Sequence, residues 1–234
     1  MAALEAEFAI SPMTVRRDLV ELERQGIAQR THGGAILPGL SSHEDSFFKR
    51  LEVAVEAKER LADAAVARLA PGNAVFVDSS TTAYFVARRL VRENFRCTLL
   101  TNAVPVMELV GESDAPQVQL IGLGGTLRKL TRSFVGPQAV AGVQGHFADQ
   151  VVFSVAGLSE GGHLTDPDPL EAEIKRTMIR RAQRAMLLVD DSKFDRAALS
   201  LIVDVTEVDT VLVADAPERM LGPLRRAGLA VSPV

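Results

Sequence analysis

Six short runs of nearly continuous apolar residues recur along the chain, separated by stretches with the residue spacing of amphipathic helices. Apolar runs of this length that alternate with helices are typical of a mostly parallel sheet covered on both faces. The pattern therefore predicts an α/β, Rossmann-like layout. The predicted strands are 74–77, 98–101, 118–121, 150–155, 185–189 and 210–213, and the predicted helices are 47–69, 82–92, 104–110, 171–184 and 218–227.

The first part of the chain follows a different pattern. Residues 1–37 are rich in charge and contain few β-branched runs. A segment with proline, glycine and serine follows, which is typical of a linker. The sequence therefore predicts a small domain over 1–37, a linker over 38–46 and a larger domain over 47–234.

The small domain contains a helix with clear start signals. Ser11 supplies an N-cap oxygen, and Pro12 is suited to the first helical position. Met13, Val15 and Leu19 are predicted to form its buried face. A short helix before it and a β-hairpin over 27–34 complete a helix-turn-helix with a wing, an arrangement that reads DNA through its second helix.

Hydroxyl and basic side chains lie where such a module meets DNA. Ser11 and Thr14 could bind phosphates or base edges, and Arg16 or Arg17 could pair with phosphate or guanine. The alternative is that both arginines are ordinary solvated charges. Two further candidates, Arg30 and His32, lie on the predicted wing.

Composition limits the classes of function. The chain has 234 residues, a formal net charge of −4 and a single cysteine, Cys97, which has no partner for an intrachain disulfide. Residues 1–10 lack the positive charge of a signal peptide, and no apolar run approaches the roughly 18 to 20 residues of a membrane span. We therefore expect a cytoplasmic protein in which any DNA binding is local.

A hydroxyl-rich turn follows the first predicted strand of the large domain. Asp78, Ser79, Ser80, Thr81 and Thr82 come directly before a helix. Hydroxyls and free backbone N–H groups at a helix N-terminus bind phosphate favourably. The alternative is a helix cap with no ligand. Asn102 follows the next strand and is predicted at the same edge of the sheet, where it could instead cap a helix.

A glycine-rich stretch over 122–129 begins like a dinucleotide-binding loop. The third glycine of that motif would fall on Leu127, so the sequence argues against a nicotinamide cofactor, and no other cofactor is predicted. Gly124 and Gly125 could instead let the backbone approach a small ligand, with Arg128 or Lys129 near its anionic groups. A tight turn with solvated bases is the alternative.

Three carboxylates crowd residues 165–171, which raises the question of a metal site. Asp168 as N-cap, Pro169 at the first helical position and Glu171 in a capping box account for this pattern without a metal. No metal is therefore predicted. Glu171 and Lys175 are also spaced as an i,i+4 ion pair.

Three segments carry a family resemblance: residues 10–19 (ISPMTVRRDL), 22–26 (LERQG) and 30–35 (RTHGGA). They closely resemble the DeoR family of bacterial transcription regulators, and the resemblance continues through nearly the whole chain. It implies a winged helix-turn-helix followed by a sugar-phosphate sensor domain similar in fold to ribose-5-phosphate isomerase. Family members usually have a further helix upstream, so the resemblance predicts that the DNA-binding module is incomplete as given.

The resemblance also bears on individual residues. It favours a ligand over an empty cap at the turn 78–82. It makes Lys175 a candidate pocket residue rather than a surface ion-pair partner, and it aligns Lys193 with a lysine that follows the corresponding strand. Isomerase-like chains carry acidic residues after the strand predicted here at 150–155, whereas this sequence has Ser154 to Leu158 without a carboxylate. No catalytic residue is therefore predicted.

These observations predict a regulator that is not an enzyme, most often a repressor in this family, acting on genes of sugar or polyol metabolism. A phosphorylated sugar at the carboxyl ends of the strands would alter how paired DNA-binding modules are spaced on operator DNA. Dimers or tetramers are expected. A sugar-phosphate isomerase-like enzyme is the alternative.

Overall fold

The fold was analysed in a computed structural model that describes residues 8, 11–24, 29–31, 34–36 and 44–234. The chain divides into two compact units, Met1–Ser41 and Ser42–Val234.

The first unit contains helix α1 (Pro12–Arg24) and an antiparallel pair, β1 (Gln29–Thr31) and β2 (Gly34–Ile36). Ser11 begins the helix as predicted, because its hydroxyl accepts a hydrogen bond from the backbone N–H of Thr14 at 3.2 Å. Val15 and Leu19 are buried, but Met13 is 77% exposed, so its assignment to the buried face was wrong. Residues two apart on a helix point in nearly opposite directions, which separates Met13 from Val15.

The second unit is built on a seven-stranded sheet in the order β14-β13-β11-β8-β3-β4-β5, with every neighbouring pair parallel. The predicted Rossmann-like layout is confirmed, and the ends of the predicted strands shift by up to three residues. The strands are β3 (Ala74–Val77), β4 (Cys97–Thr101), β5 (Val118–Gly122), β8 (Ala148–Phe153), β11 (Ala182–Asp190), β13 (Thr210–Ala214) and β14 (Ala230–Pro233).

Helices cover both faces of this sheet. On one face Phe76, Phe153 and Leu187 pack in a core beneath α6, α7 and α8, and on the other Val77 and Leu188 pack beneath α3, α4 and α5. Adjacent residues of a strand point to opposite faces, so continuously apolar strands feed both cores. The helices are α3 (Val55–Val66), α4 (Thr81–Arg92), α5 (Val104–Gly111), α6 (Pro137–Gln144), α7 (Pro169–Arg181) and α8 (Glu218–Arg226).

The helix predicted over 47–69 is two helices, so that prediction was wrong. Helix α2 (Phe47–Leu51) and α3 are separated by a turn in which Ala54 has a left-handed backbone, with φ of 51°. A non-glycine residue pays a steric cost there, and no glycine or proline marks the break in the sequence. The predicted helix over 171–184 also ends earlier, at Arg181, because β11 begins at Ala182.

Several short elements were not predicted. A hairpin of β6 (Thr126–Arg128) and β7 (Ser133–Val135) follows β5, and a three-stranded antiparallel sheet has the order β12-β10-β9. Its strands are β9 (Gly157–Leu158), β10 (His163–Asp166) and β12 (Ser200–Asp204). No helix in the described part of the chain is long and apolar enough to cross a membrane.

Candidate functional site

A cavity of about 330 Å³ lies at the carboxyl ends of the central strands. From β3 the chain continues to β4 and β5 on one side, while β8 and the later strands lie on the other, so the strand order reverses between β3 and β8. Ligands of open α/β sheets bind at such reversal points. The cavity wall includes Ser80 to Thr82 after β3, Ser154 after β8 and Lys193 after β11.

The N-terminus of helix α4 forms one wall of the cavity. Ser80 is the N-cap, and its hydroxyl accepts a hydrogen bond from the N–H of Ala83 at 3.1 Å. The first α-helical bond runs from Tyr84 N to Ser80 O, so the N–H groups of Thr81 and Thr82 precede the intrahelical ladder. Both threonines line the cavity. Such N–H groups and hydroxyls bind anions.

Among the described residues, four basic side chains line the cavity without a carboxylate partner: Arg50, Lys58, Lys193 and Arg196. Within the part of the chain that the structure describes, none of them forms an ion pair, although the carboxyl group of Asp190 also lines the cavity. We name these four residues the cation group. Nε and Nη2 of Arg50 are buried and have no hydrogen-bond partner among the described residues.

Electrostatics within the cation group favour an anion. Burial and the charge of Lys193 lower the pKa of Lys58 from 10.5 to about 8. Burial also lowers the pKa of Lys193, and the nearby Arg50 and Arg196 act in the same direction while Asp190 opposes them. A bound anion would offset the mutual repulsion of these positive charges and so favour their protonated forms.

Lys175 of helix α7 holds two carboxylates at the base of the cavity. Its Nζ lies 2.9 Å from Oδ2 of Asp166 and 3.2 Å from Oδ2 of Asp78, and it donates a hydrogen bond to the carbonyl of Ser154 at 2.9 Å. Burial disfavours the charged amine, but the carboxylates of Asp166, Asp78 and Glu171 outweigh it and raise the pKa of Lys175. Lys175 therefore stays protonated and fixes these carboxylates.

Glu171 lies one helical turn before Lys175 and is 2% exposed. It accepts hydrogen bonds from the hydroxyls of Ser79 and Thr131, both at 2.8 Å, and from that of Ser133. Burial raises the pKa of Glu171, although Lys175 and the hydroxyls oppose the shift. The carboxylate thereby ties the turn after β3 to the β6–β7 hairpin.

The structure brings together some of the predicted ligand residues and separates others. Five line the cavity: Ser80, Thr81, Thr82, Lys175 and Lys193. Asp78 and Ser79 lie behind the wall. Asp78 accepts bonds from the N–H and hydroxyl of Ser80, at 3.1 Å and 2.5 Å, which shapes the turn.

Asn102, Gly124, Gly125 and Arg128 are not among the residues that line the cavity. Asn102 is buried and donates to the carbonyl of Phe134 at 2.9 Å, which fixes the hairpin. A Cβ on Gly125 would lie 2.8 Å from a backbone oxygen, whereas a Cβ on Gly124 would meet nothing within 4 Å. Close packing therefore accounts for Gly125.

Arg128 is held by two carboxylates. Its guanidinium lies 2.7 Å from Glu44 and 3.0 Å from Asp168, and it also donates to Thr131 at 3.2 Å. Asp168 is the N-cap of helix α7, as predicted, and accepts bonds from the N–H groups of Leu170 and Glu171. The predicted capping box is not completed, because the N–H of Asp168 donates to Asp166 and not to Glu171. Arg128 thus links the segment before α2 to the helix that carries Lys175.

Several cavity residues escaped the sequence analysis. Arg50 and Lys58 belong to predicted helical stretches where charges are usually solvated, so no sequence signal separated them from other surface charges. Asp190 and Arg196 flank the predicted Lys193, and their nearness to a strand end could have indicated them. Asp166 was noted in the acidic cluster without a ligand role. Among the described residues, no group of three or more His, Cys, Asp or Glu side chains could hold a metal ion.

A second cavity, of about 460 Å³, lies between the turn after β9 and helix α8. Its lining, as far as the structure describes it, includes the acidic residues Glu160, Asp195 and Asp204 and one basic residue, Arg219. This acidic balance does not suit a phosphorylated ligand.

The predicted DNA-contacting residues lie partly within the described region. Ser11, Thr14, Arg16 and Arg17 are exposed on or next to helix α1. The hydroxyls of Ser11 and Thr14 are 2.9 Å apart. Arg30 lies in β1, where it pairs with Ala35, and His32 lies outside the described residues.

Comparison with known proteins identifies the family. A model of the DeoR C-terminal sensor domain matches residues 53–215, and a model of the DeoR-like helix-turn-helix domain matches residues 2–39. The chain belongs to the DeoR family. This assignment confirms the predicted resemblance and the prediction of a transcriptional regulator over an enzyme.

Curated relatives of this DeoR-family chain are named as activators or repressors. It is 31% identical to the L-fucose operon activator of Escherichia coli (strain K12), over 90% of this chain and 86% of the relative. It is 32% identical to the glycerol-3-phosphate regulon repressor of the same strain, over 92% of this chain and 83% of the relative. The repressor GlcR of Bacillus subtilis (strain 168) is 30% identical, over 90% of this chain and 80% of the relative.

Solved structures similar to this DeoR-family chain include enzymes and non-enzymes. Ribose 5-phosphate isomerase A from Methanocaldococcus jannaschii is 15% identical with a TM-score of 0.43, over 60% of this chain and 54% of the isomerase. The eIF2B delta chain of Chaetomium thermophilum is 14% identical with a TM-score of 0.49, over 70% of this chain and 57% of the eIF2B chain. At these scores the likeness carries no argument about activity.

Proposed function

We propose that this DeoR-family regulator is a repressor of sugar or polyol metabolism genes and that a phosphorylated monosaccharide in the cavity controls its binding to operator DNA. The observation that carries the proposal is the cation group, which faces the N-terminus of α4 and has no carboxylate partner among the described residues. A phosphate group supplies the missing negative charge and accepts bonds from hydroxyls and N–H groups.

The proposed ligand lies with its phosphate against Thr81, Thr82 and Lys193. The sugar hydroxyls face Asp190 and Asp166, whose carboxylate oxygens accept hydrogen bonds. A volume of about 330 Å³ is at the lower end of the range for small-molecule pockets, which suits one sugar ring with its phosphate. The names of two relatives refer to a sugar, fucose, and to a phosphorylated polyol, glycerol 3-phosphate, which supports a ligand from sugar or polyol metabolism.

For DNA binding, we propose that α1 enters the major groove and that Arg16, Arg17 and Arg30 contact phosphates or bases. Residues 1–37 act as the DNA-binding module, 38–46 as linker and 47–234 as sensor. Paired half-sites require at least a dimer, and the effector acts by binding one arrangement of the paired modules more tightly than another.

The ligand proposal is tested by a thermal-shift and calorimetric screen of monosaccharide phosphates, each paired with its unphosphorylated sugar. We expect stabilisation by at least one phosphate and not by its parent sugar, because a ligand that binds the native state raises its stability. Lys193→Gln should weaken binding about tenfold or more, the value of one charge-assisted hydrogen bond. Lys129→Gln, which changes the same charge on an exposed residue outside the cavity, is the control.

Two results would contradict the ligand proposal. One is a screen in which no phosphorylated sugar stabilises the protein, and the other is equal weakening by Lys193→Gln and Lys129→Gln. Isomerase-like turnover of ribose 5-phosphate would favour the alternative enzyme.

The DNA proposal is tested by fluorescence anisotropy with the promoter region next to its own gene. Arg17→Gln should weaken binding and reduce the dependence of affinity on salt, since one phosphate contact is lost. Arg92→Gln, an exposed arginine at the end of α4, should leave both unchanged. Salt-independent binding, or equal effects of the two variants, would exclude this role for α1.

A further inference from the structure

The segment that enters the sensor unit forms part of the cavity wall. We name residues 44–54, which include α2, the entry segment. It begins two residues after Ser42, where the second compact unit starts, and so follows the DNA-binding unit closely in sequence. Glu44, Arg50, Val53 and Ala54 of this segment all line the cavity. A ligand in the cavity would therefore touch the part of the sensor that leads to the DNA-binding module.

The start of the entry segment is firmly attached to the sensor. Glu44 pairs with Arg128 at 2.7 Å, and the N–H of Phe47 donates to the carbonyl of Leu130 at 2.9 Å. The ring of Phe47 is 2% exposed and packs edge-on against Tyr84 of α4, with ring centres 5.7 Å apart. Helix α4 is the helix whose N-terminus lines the cavity.

The end of the entry segment is held by a side chain that lines the cavity. Nζ of Lys58, a member of the cation group, donates to the carbonyls of Arg50 at 2.5 Å and Val53 at 2.6 Å. These bonds hold a turn that ends at Ala54, whose left-handed backbone is unfavourable for a non-glycine residue. This turn persists because its surroundings enforce it.

The side chain of Arg50 has donors without a hydrogen-bond partner, unlike the contacts described above. Its Nε and Nη2 are buried, yet they find no acceptor among the described residues. Buried donors without partners are unfavourable, and a planar guanidinium matches the oxygens of a phosphate. Among the described residues of the entry segment, no other side chain has buried donors without a partner.

We infer that Arg50 is an anion ligand contributed by the entry segment, so that occupation of the cavity fixes this segment and reports the bound effector to the DNA-binding module. The inference rests on the proposed function, because it assumes a phosphorylated ligand at the cation group. The ligand acts through differential affinity: it binds more tightly when Arg50 faces the cavity, and this preference is the largest factor by which it can shift DNA affinity.

The test is hydrogen–deuterium exchange of the full chain, read for residues 44–54 and for the start of α4. The probes are ribose 5-phosphate, glucose 6-phosphate and inorganic phosphate, each at saturation. We expect the bound probe to slow exchange in both regions of the unsubstituted protein. In Arg50→Gln the probe should bind about tenfold to a hundredfold more weakly. At saturation it should protect the start of α4 but no longer the entry segment.

Control variants separate this inference from the proposed function. Arg92→Gln should behave as the unsubstituted protein, and Arg50→Lys should recover part of the affinity because it keeps the charge. If Arg50→Gln binds the probe with unchanged affinity and protects residues 44–54 fully, Arg50 is not the ligand and the inference is wrong, while the cavity site stands. If neither inorganic phosphate nor any monosaccharide phosphate of the screen binds, or Lys193→Gln has no effect, the proposed function fails and the inference with it.

Discussion

Replacing Lys175 by methionine tests the electrostatics at the base of the cavity. The ammonium lies 2.9 Å from Asp166 and 3.2 Å from Asp78, and its side chain is 6% exposed. With an effective dielectric constant of about 20, each contact corresponds to about 5 kcal/mol of gross attraction. Desolvation offsets much of this, but removing one partner leaves buried charge uncompensated. We expect Lys175→Met to lower the free energy of unfolding by about 3–5 kcal/mol.

The loss should depend on pH. In the unsubstituted protein the pKa of Lys175 is raised, so its contribution is fully present below the ordinary lysine pKa and is lost only as the pH rises through the raised value. Between about pH 5.5 and 8 this contribution is therefore constant. In Lys175→Met the buried Glu171 loses the lysine charge that opposes the rise of its pKa by burial, so its pKa rises further and the variant should become more stable as the pH falls.

Urea unfolding followed by far-ultraviolet circular dichroism at several pH values measures both effects. Lys129→Met is the control for hydrophobicity and charge on an exposed position. The double variant Lys175→Met/Asp166→Asn should recover part of the loss, because it removes one uncompensated carboxylate. A loss below about 1 kcal/mol in Lys175→Met, with an unchanged pH dependence, would refute the reasoning, since a buried charge would then cost little.

Three further predictions follow from backbone geometry and charge. Ala54→Gly should raise the free energy of unfolding by about 0.5–1 kcal/mol in urea titrations, because glycine accepts the left-handed backbone, whereas Ala67→Gly, at a right-handed position, should lower it. Gly125→Ala should lower the free energy of unfolding by about 1–3 kcal/mol through overpacking, and Gly124→Ala should leave it unchanged. Equal losses of stability in the two variants would contradict the packing account. Because the pKa of Lys58 is about 8, calorimetry should show weaker binding of a phosphorylated ligand at pH 9 than at pH 7. This decline in affinity should be smaller in Lys58→Met. An affinity that does not change between these pH values in the unsubstituted protein would exclude a role for the charge of Lys58.

The inner strands of the sheet could be predicted because they are buried on both faces and are separated by amphipathic helices. The edge strand β14 has no fully buried residue and was not predicted. The interruption at Ala54 could not be predicted, since alanine favours a helix and the break depends on the bonds that Lys58 makes to the turn. The strands of the antiparallel sheet were missed for a related reason. β9 has two residues, too few for an alternating pattern to appear.

Most of the candidate ligand residues that line the cavity were predicted where hydroxyl or basic residues closely follow a strand. Ser80, Thr81 and Lys193 follow strands, and the carboxyl ends of parallel strands meet at one edge. Arg50 lies on a helix far from any strand end in sequence, and its position depends on how the entry segment packs against α4. Asn102 follows a strand as well, but its side chain bonds to the β6–β7 hairpin, a contact that the local sequence does not reveal.

The reversal of strand order between β3 and β8 has a consequence for folding. Strands β3, β4 and β5 pair with near neighbours in sequence, whereas the contact of Phe76 with Val151 closes a long loop. Long loops are costly to close, so we expect the half containing β3 to β5 and the half containing β8 to β14 to form before they dock. The cavity takes Thr81 from one half and Lys193 from the other. The proposed effector would therefore bridge the two halves, and we expect it to slow unfolding as well as shift the equilibrium, so that the native state would last longer when the proposed metabolite is abundant.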